Sequence, residues 1–245
     1  SGKIVKTTNG GTNWSIDSVY PGNLQTIQFT DSQTGWVVAG YRILKTTNGG
    51  TTWDTLTTNA QNGISSIYFS NSQTGIAVGY TGTIIKTTNG GTSWFSISSG
   101  KTNLLLSVFF ADTLTGWTSG AYGTILKTTD KGTNWISQTS GTISDLSSIH
   151  FTSSQTGWAA GTGGIIINTT DGGISWNTQI SGTTNNLFSI HFADSQTGWA
   201  VGNAGTVLKT SDGGTNWIPQ ESSSTSSFRS VYFVDNQTGW IVGSG

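Results

Sequence analysis

One octapeptide of the form Thr-x-Asn/Asp-x-Gly-x-x-Trp recurs six times in this 245-residue chain. Its third residue returns at steps of 39, 41, 41, 41 and 41 residues, so the repeats account for nearly the whole sequence. The six copies occupy 7–14, 46–53, 87–94, 128–135, 169–176 and 210–217. A period near 40 residues is typical of the blades of a β-propeller. The sequence therefore predicts an array of six equivalent structural units.

Each repeat reads as four short strands separated by turns. In the fifth repeat, β-branched and aromatic runs occupy 187–193, 199–202, 206–210 and 217–220, with Gly, Asn, Asp and Ser between them. This is the pattern of an antiparallel meander, and no segment has helical periodicity. Because such meanders bury both faces only by stacking, we predict an all-β, six-bladed propeller of four-stranded blades in one domain, residues 1–245. The repeat units are 1–41, 42–81, 82–122, 123–163, 164–204 and 205–245.

The two ends of the chain carry complementary halves of a repeat. The first repeat begins with its third strand, near Lys3, and the last ends with its second strand, after Trp240. We predict that these half-blades pair and close the ring, because pairing leaves no sheet edge open. This pairing would complete the sixth blade.

The eleven tryptophans fall at two positions of the repeat. One position ends each octapeptide, and the other follows a Thr-Gly pair in five repeats, with Ile76 in the remaining one. An aromatic platform for carbohydrate is one interpretation of so many tryptophans. Because every copy recurs at a fixed strand position, and an aliphatic side chain replaces one, we predict instead that they form the core between blades.

Composition excludes several classes of function. A net charge of −1 and a pI of about 6.0 provide no positive field for nucleic acid. No apolar run approaches the ~20 residues of a membrane span, and the absence of Cys excludes disulfides and thiolate chemistry. We therefore predict a soluble monomer without metal or cofactor, with no membrane insertion and a protein or carbohydrate ligand. The Gly-, Ser- and Thr-rich composition favours an extracellular or periplasmic parent protein.

The octapeptide itself is predicted to be structural. Its Asn or Asp oxygen is suited to accept backbone N–H groups within the turn, and its Gly permits a positive φ. Half of the copies have uncharged Asn, which excludes metal ligation or proton transfer as the general purpose of the motif. The acceptor residues are Asn9, Asn48, Asn89, Asp130, Asp171 and Asp212.

This octapeptide resembles the Asp-box (BNR repeat) of sialidase-type propellers. The fuller repeat, with Thr-Gly-Trp-x-x-Gly before the box, resembles that of the photosystem II stability and assembly factor family, over the entire chain. The resemblance implies a non-enzymatic scaffold that holds a protein subunit during assembly. Members of that family use a basic patch and commonly have seven blades. This chain departs on both points, because it has only two arginines and six repeats. Similar repeats also occur in large secreted bacterial proteins.

Catalysis is weighed against this scaffold interpretation. A sialidase needs a cluster of arginines, whereas Arg42 and Arg229 are the only two here, and Glu221 is the only glutamate. A glycoside hydrolase using paired aspartates from Asp17, Asp54 and Asp145 remains an alternative. A second alternative is an engineered or amplified repeat scaffold without a ligand, which fits the absence of Met and the Gly-Ser ends.

Candidate binding residues are those that differ between repeats. Variable connections are expected on the face opposite the boxes, and four tyrosines are assigned to loops of that face, together with Arg42. The hypothesis is an aromatic sector for glycan or peptide, formed by Tyr20, Tyr41, Arg42, Tyr80 and Tyr122. The variable connections are 15–23, 54–63, 95–103, 136–145, 177–186 and 218–227.

A second candidate lies on the innermost strands, where equivalent positions carry the only two histidines, His150 and His191. Two histidines without a third ligand make a poor metal site, so a channel-facing pair is the hypothesis. Lysines also recur once per repeat and are expected to form a solvated ring. They are Lys6, Lys45, Lys86, Lys127 and Lys209, with Asn168 in the sixth place.

Overall fold

The computed structural model describes residues 2–244 as short antiparallel strands. The chain divides into two compact units, Ser1–Ser98 and Ser99–Gly245. The only helical segments in the described residues are three-residue 3-10 turns. These are Tyr80–Gly82, Ala121–Gly123 and Thr162–Gly164.

The first unit has one two-stranded sheet, β1–β2, and two four-stranded sheets, β3–β6 and β7–β10. All neighbouring strands are antiparallel and consecutive in sequence, as expected of a meander. The strands are β1 Gly2–Lys6, β2 Ser15–Tyr20, β3 Thr26–Phe29, β4 Gly35–Ala39, β5 Arg42–Thr46, β6 Asp54–Leu56, β7 Ile64–Phe69, β8 Gly75–Gly79, β9 Ile84–Thr87 and β10 Phe95–Ile97.

The second unit has three four-stranded sheets, β11–β14, β15–β18 and β19–β22, and a two-stranded sheet, β23–β24. Its strands are β11 Leu105–Phe110, β12 Gly116–Gly120, β13 Ile125–Thr128, β14 Ile136–Gln138, β15 Leu146–Phe151, β16 Gly157–Gly161, β17 Ile166–Thr169, β18 Asn177–Gln179, β19 Leu187–Phe192, β20 Gly198–Gly202, β21 Val207–Thr210, β22 Ile218–Pro219, β23 Ser227–Phe233 and β24 Gly239–Ser244.

The four-stranded meander predicted for each repeat is therefore present in five copies, and the two half-repeats form separate hairpins. Trp240, on β24, is 53% exposed in its hairpin, whereas the equivalent Trp199 on β20 is 4% exposed. Pairing of the β1–β2 and β23–β24 hairpins into a sixth blade stays a prediction.

Tryptophan and phenylalanine form the core between adjacent sheets within each unit. Trp158 of β16 lies parallel to Phe192 of the next sheet, with ring centroids 3.5 Å apart. Phe192 in turn meets the octapeptide tryptophan Trp217 edge-on at 5.8 Å. Both geometries are favourable for aromatic pairs, and the rings are buried. The same parallel stack joins Trp36 to Phe69, Trp117 to Phe151 and Trp199 to Phe233.

The glycine of the Thr-Gly pair is explained by this core. A Cβ atom at Gly157 would lie 2.4 Å from the ring of Phe151, which covers the glycine within its own sheet. Any larger residue would displace this phenylalanine and with it the contact to Trp117. The Thr-Gly-Trp sequence is therefore a packing motif.

Candidate functional site

The octapeptide forms a closed set of hydrogen bonds, which Asp171 illustrates. The Thr169 hydroxyl donates to Asp171 Oδ1 at 2.8 Å and accepts the Gly173 N–H at 2.8 Å. Asp171 Oδ1 also accepts the Ser175 N–H at 2.9 Å, and Gly173 has a φ of +89°. The other five acceptors bind the N–H four residues ahead at 2.8–2.9 Å. These side chains are engaged within their own turns. They are Asn9, Asn48, Asn89, Asp130 and Asp212.

Hydrogen bonding explains the ionisation of the boxes. The Ser175 hydroxyl and N–H lower the pKa of Asp171 to about 2. The Asn134 N–H and side-chain amide lower the pKa of Asp130 to about 2 in the same way. Donors to the charged form favour that form, so these carboxylates stay ionised well below neutral pH. They are poorly suited to donate a proton in catalysis.

The expectation of a solvated lysine ring is wrong for the two lysines with resolved partners. Lys127 Nζ donates to the box carbonyl of Gly172 at 2.8 Å, and Lys45 Nζ donates to that of Gly90 at 2.9 Å. In each case the tryptophan beside the lysine donates its indole N–H to the same oxygen. These lysines therefore connect one sheet to the box of the next sheet. Each supplies a hydrogen bond to a turn carbonyl that has no backbone N–H donor among residues 2–244.

Three residues of the predicted aromatic sector meet in the first unit. The Arg42 guanidinium carbon lies 5.5 Å from the Tyr41 ring centroid, at the tip of the β4–β5 hairpin. A side-chain hydrogen bond to Tyr41 raises the pKa of Arg42, and the nearby phenols of Tyr20 and Tyr41 add to the shift. Tyr41 and Arg42 are exposed. The assignment of Tyr20 to a loop is corrected, because it ends strand β2 opposite Gly2 and packs beside Val37 and Leu44.

Tyr80 and Tyr122 lie in 3-10 turns between the second and third strands of their sheets. Tyr80, in the first unit, is exposed and covers Gly63, where a Cβ atom would lie 2.9 Å from its ring. Tyr122, in the second unit, is 74% exposed and has a φ of +55°. Its N–H donates to Asp145 Oδ1 at 2.9 Å. Of the predicted sector, Tyr20, Tyr41 and Arg42 form a cluster. Tyr80 and Tyr122 each lie in a turn of their own sheet.

The histidines are adjacent counterparts, as their positions in the repeat indicate. The His150 and His191 ring centroids are 4.7 Å apart. Phe109 lies 4.7 Å from His150, and Tyr232 lies 4.9 Å from His191, so four rings form one column across β11, β15, β19 and β23. Nδ1 of both histidines is shielded and has no partner among residues 2–244.

Burial sets the charge of this column. It lowers the pKa of His150 to about 3, with a further contribution from the neighbouring His191, and it lowers the pKa of His191 to about 4. Both imidazoles are therefore neutral at physiological pH. Among the described residues, no group of three or more His, Cys, Asp or Glu side chains is placed to hold a metal ion. We call these four rings the aromatic–imidazole column.

Comparison with known proteins identifies the family. The chain matches the family model described as photosynthesis system II assembly factor YCF48, over residues 13–104, 97–181 and 175–245. The chain belongs to this family. The resemblance to the photosystem II assembly factors drawn from the octapeptide repeats is confirmed. No curated protein sequence matches the chain.

Solved structures show the YCF48 fold in this chain. YCF48 from Cyanidioschyzon merolae matches with a TM-score of 0.81 at 18% identity, covering 99% of this chain and 86% of that chain. A YCF48 bound to a D1 peptide matches with a TM-score of 0.51 at 20% identity, covering 90% and 88%. An ancestral GH74 enzyme matches with a TM-score of 0.72 at 16% identity, covering 87% of this chain but 34% of its own. At these identities the matches show the fold alone, and they confirm the predicted all-β propeller.

Two contacts of this YCF48-family chain were not anticipated from the sequence. The Arg229 guanidinium carbon lies 4.1 Å from the Phe188 ring centroid, which is a close cation–π contact. The two residues occupy equivalent positions of successive inner strands, so alignment of the repeats contains the signal. The link from Asp145 to the Tyr122 N–H follows the repeat as well, because the Gly163 N–H donates to Asn186 Oδ1 at 2.9 Å in the next sheet. In the described part of the chain, no helix has the length and apolarity of a membrane span.

Proposed function

We propose that this chain is a non-enzymatic propeller module that binds an extended segment of a partner protein. The observation that carries the proposal is the exposed Tyr41–Arg42 pair at the tip of the β4–β5 hairpin. Contact with the phenol orients the guanidinium, and no acidic partner of Arg42 is recorded among the described residues. A guanidinium held on a rigid hairpin is suited to bind a carboxylate or backbone carbonyls of a peptide.

The carboxylates of the chain support a binding role over hydrolysis. Seven aspartates accept turn N–H groups, and their pKa values are lowered. A glycosidase acid instead needs a raised pKa and a second carboxylate nearby. The seven aspartates with a lowered pKa are Asp31, Asp112, Asp130, Asp171, Asp194, Asp212 and Asp235.

The three aspartates of the hydrolase alternative do not form such a pair in what the structure describes. Asp17 lies on β2 beside a cavity of about 440 Å³ that has no other carboxylate in its wall. Asp54 lies on β6, in a different sheet, opposite Lys45. Asp145 is bound to the Tyr122 N–H in the second unit. Paired-aspartate hydrolysis is accordingly the weaker proposal.

The family supports a protein ligand, since one YCF48 structure is described as bound to a D1 peptide. An extracellular or periplasmic location and a monomeric state stay predictions. A scaffold without any ligand is the competing proposal, and it is separated from ours by the selection experiment below.

The test is selection of a random 12-residue peptide phage library on the immobilised full chain. Enriched peptides are synthesised, and their affinities are measured by fluorescence anisotropy together with a D1 peptide. We expect enrichment of acidic sequences. Removal of the cation and the phenol in Tyr41→Ala/Arg42→Ala should weaken binding about tenfold or more, since charge-assisted hydrogen bonds are about twice as strong as neutral ones.

The matched control is Thr81→Ala, an exposed side chain in the corresponding turn of the next sheet. It should leave peptide affinity unchanged, and neither variant should shift the melting temperature. Failure to enrich any peptide would favour the ligand-free scaffold. Peptides that bind the Tyr41→Ala/Arg42→Ala variant as tightly as the parent chain would refute the site.

A further inference from the structure

A polar cavity of about 620 Å³ opens in the second unit beneath Tyr122. Its walls come from the end of β14, the connection after it and the 3-10 turn that carries Tyr122. Gln138, Asn103 and Thr139 contribute amide and hydroxyl groups, and Lys101 is the only charged residue in the wall. We call this cavity the Tyr122 groove. Its volume lies within the range of small-molecule sites.

Tyr122 is held over the groove in a conformation that does not serve packing. It has a φ of +55°, in the left-handed region that side chains with a Cβ rarely adopt, and its ring is 74% exposed. The bond from its N–H to Asp145 Oδ1 fixes this backbone. The equivalent residues Thr81 and Ala204 have φ of +53° and +52°, so this backbone conformation belongs to the turn, and the exposed ring is what distinguishes Tyr122.

The next sheet provides an internal comparison. A cavity of about 630 Å³ occurs there, with Gln179 in its wall at the position of Gln138. Gly163 takes the place of Tyr122 and has a φ of +70°, which glycine adopts without strain. The turn therefore forms without an aromatic residue. The ring at Tyr122 is an addition to a framework that is stable in its absence.

The side chains of the groove differ in their availability. Asn103 Nδ2 donates to the Thr124 hydroxyl at 2.8 Å, which leaves its carbonyl oxygen to accept from a ligand. The equivalent of Gln138 in the next sheet, Gln179, is committed to the Gly213 carbonyl and to the indole N–H of Trp217. No such bond is recorded for Gln138 among the described residues. The Gln138 amide is therefore unpaired, and its Oε1 lies near Gly173 in the box of the next sheet.

We propose that the Tyr122 groove is a binding site for a neutral saccharide. A sugar hydroxyl both donates and accepts, so it pairs with an amide that offers one group of each kind. The apolar face of a pyranose ring packs on an exposed aromatic ring, here that of Tyr122. The wall contains no carboxylate and a single lysine, so neither a cationic nor a highly anionic ligand finds matching charge. This site is independent of the peptide site at Tyr41 and Arg42.

The test screens the full chain against an array of neutral gluco-, galacto-, manno- and xylo-oligosaccharides. Binders are then titrated by calorimetry and by amide NMR. The expected result is a binder that shifts the amide resonances of Tyr122, Gly123 and Gln138. Tyr122→Gly reproduces the turn of the next sheet, so it should fold normally while weakening binding about tenfold. Tyr122→Phe keeps the ring and should retain affinity within about threefold.

Two further variants separate the groove from its surroundings. Gln138→Ala should weaken binding about fivefold or more, because it removes the unpaired amide. Ala204→Gly makes the same kind of change in another turn, where φ is +52°, and should leave affinity unchanged. The proposal is overturned if no neutral saccharide binds, or if the binder is held as tightly by Tyr122→Gly as by the parent chain. Loss of saccharide binding with intact peptide binding would show that the two sites are distinct.

Discussion

Acidification should destabilise this protein through the aromatic–imidazole column. Both histidines have folded-state pKa values below the ordinary 6.5, at about 3 for His150 and about 4 for His191. In the unfolded chain they take up protons as the pH falls below 6.5, whereas in the folded chain they stay neutral. The stability due to these groups is therefore fully present above pH 6.5. It is lost as the pH falls toward the folded-state pKa values.

The size of the effect follows from the distance between pH and the unfolded pKa. At pH 4.5 the unfolded-state pKa is two units above the pH, which costs about 2.7 kcal/mol for His150 at 1.36 kcal/mol per unit. His191 is more accessible, so solvent screening reduces its share to about 1 kcal/mol. Together these losses are a large part of the ~5–15 kcal/mol that stabilises an ordinary domain. Asp130 and Asp171, with pKa values of about 2, stay ionised in this window.

The column itself suggests the matched variants. The equivalent positions on the flanking strands carry Phe109 and Tyr232, which take part in the same stack. His150→Phe and His191→Tyr therefore introduce rings that the column already accommodates, and they remove the two unpaired Nδ1 atoms. We expect the double variant to be at least as stable as the parent chain at pH 7.5. It should lose about 3–4 kcal/mol less than the parent on transfer to pH 4.5.

Urea denaturation followed by tryptophan fluorescence at pH 7.5 and pH 4.5 measures this difference, provided that the slope of the transition is unchanged. The single variant His150→Phe should recover most of the effect, because His150 is the more buried ring. A parent chain that loses no more stability than the double variant between these pH values would refute the reasoning. The histidines would then be hydrated or protonated in the folded state.

Three further predictions concern the repeats and use the same denaturation assay. Asp171→Asn should lower the free energy of unfolding by less than about 0.5 kcal/mol, because Asn48 occupies the equivalent position in another repeat. Asp171→Ala should lower it by about 1–2 kcal/mol. Equal losses would contradict the role of this side chain as the acceptor of turn N–H groups. Lys131→Gly should stabilise by about 0.5–1 kcal/mol, since its φ of +62° suits glycine, and an unchanged midpoint would count against strain there. Trp199→Ala should cost about 3–5 kcal/mol, and the predicted pairing of the terminal hairpins gives Trp240→Ala a similar cost, which a clearly smaller loss would contradict. Equal losses for the two tryptophans would support completion of the sixth blade.

The sequence predicted the blade well because each of its signals is local and repeated. The Gly-Trp step that ends one turn and the Thr-x-Asp-x-Gly turn of the box act over a few residues, and six copies average out chance matches. Packing of Trp158 on Phe192 follows from the same repetition, since successive sheets present equivalent faces to one another. The equivalence of His150 and His191 was accessible for the same reason.

The candidate sites were less predictable because they depend on contacts between residues that are far apart in the sequence. Lys127 is expected from its recurrence in the repeats to belong to a solvated ring, but it reaches the carbonyl of Gly172, 45 residues away. Tyr20 was assigned to a loop because it lies in the variable connection 15–23, but that segment forms strand β2, most of whose residues are exposed. The pairing of Asp145 with the Tyr122 N–H required the path of two loops.

This contrast between local and long-range determinants bears on where function lies in a repeat protein. The Asn and Asp side chains of the boxes accept N–H groups within four residues, so substitutions of these side chains act on stability. Tyr41, Arg42 and Tyr122 project from turns that form with other residues in neighbouring sheets, so the framework does not constrain their identity. Gly163 in the place of Tyr122 shows this freedom directly. Recognition on such a scaffold therefore evolves one turn at a time, and the side chains that distinguish one blade from the next are the ones to test for ligands.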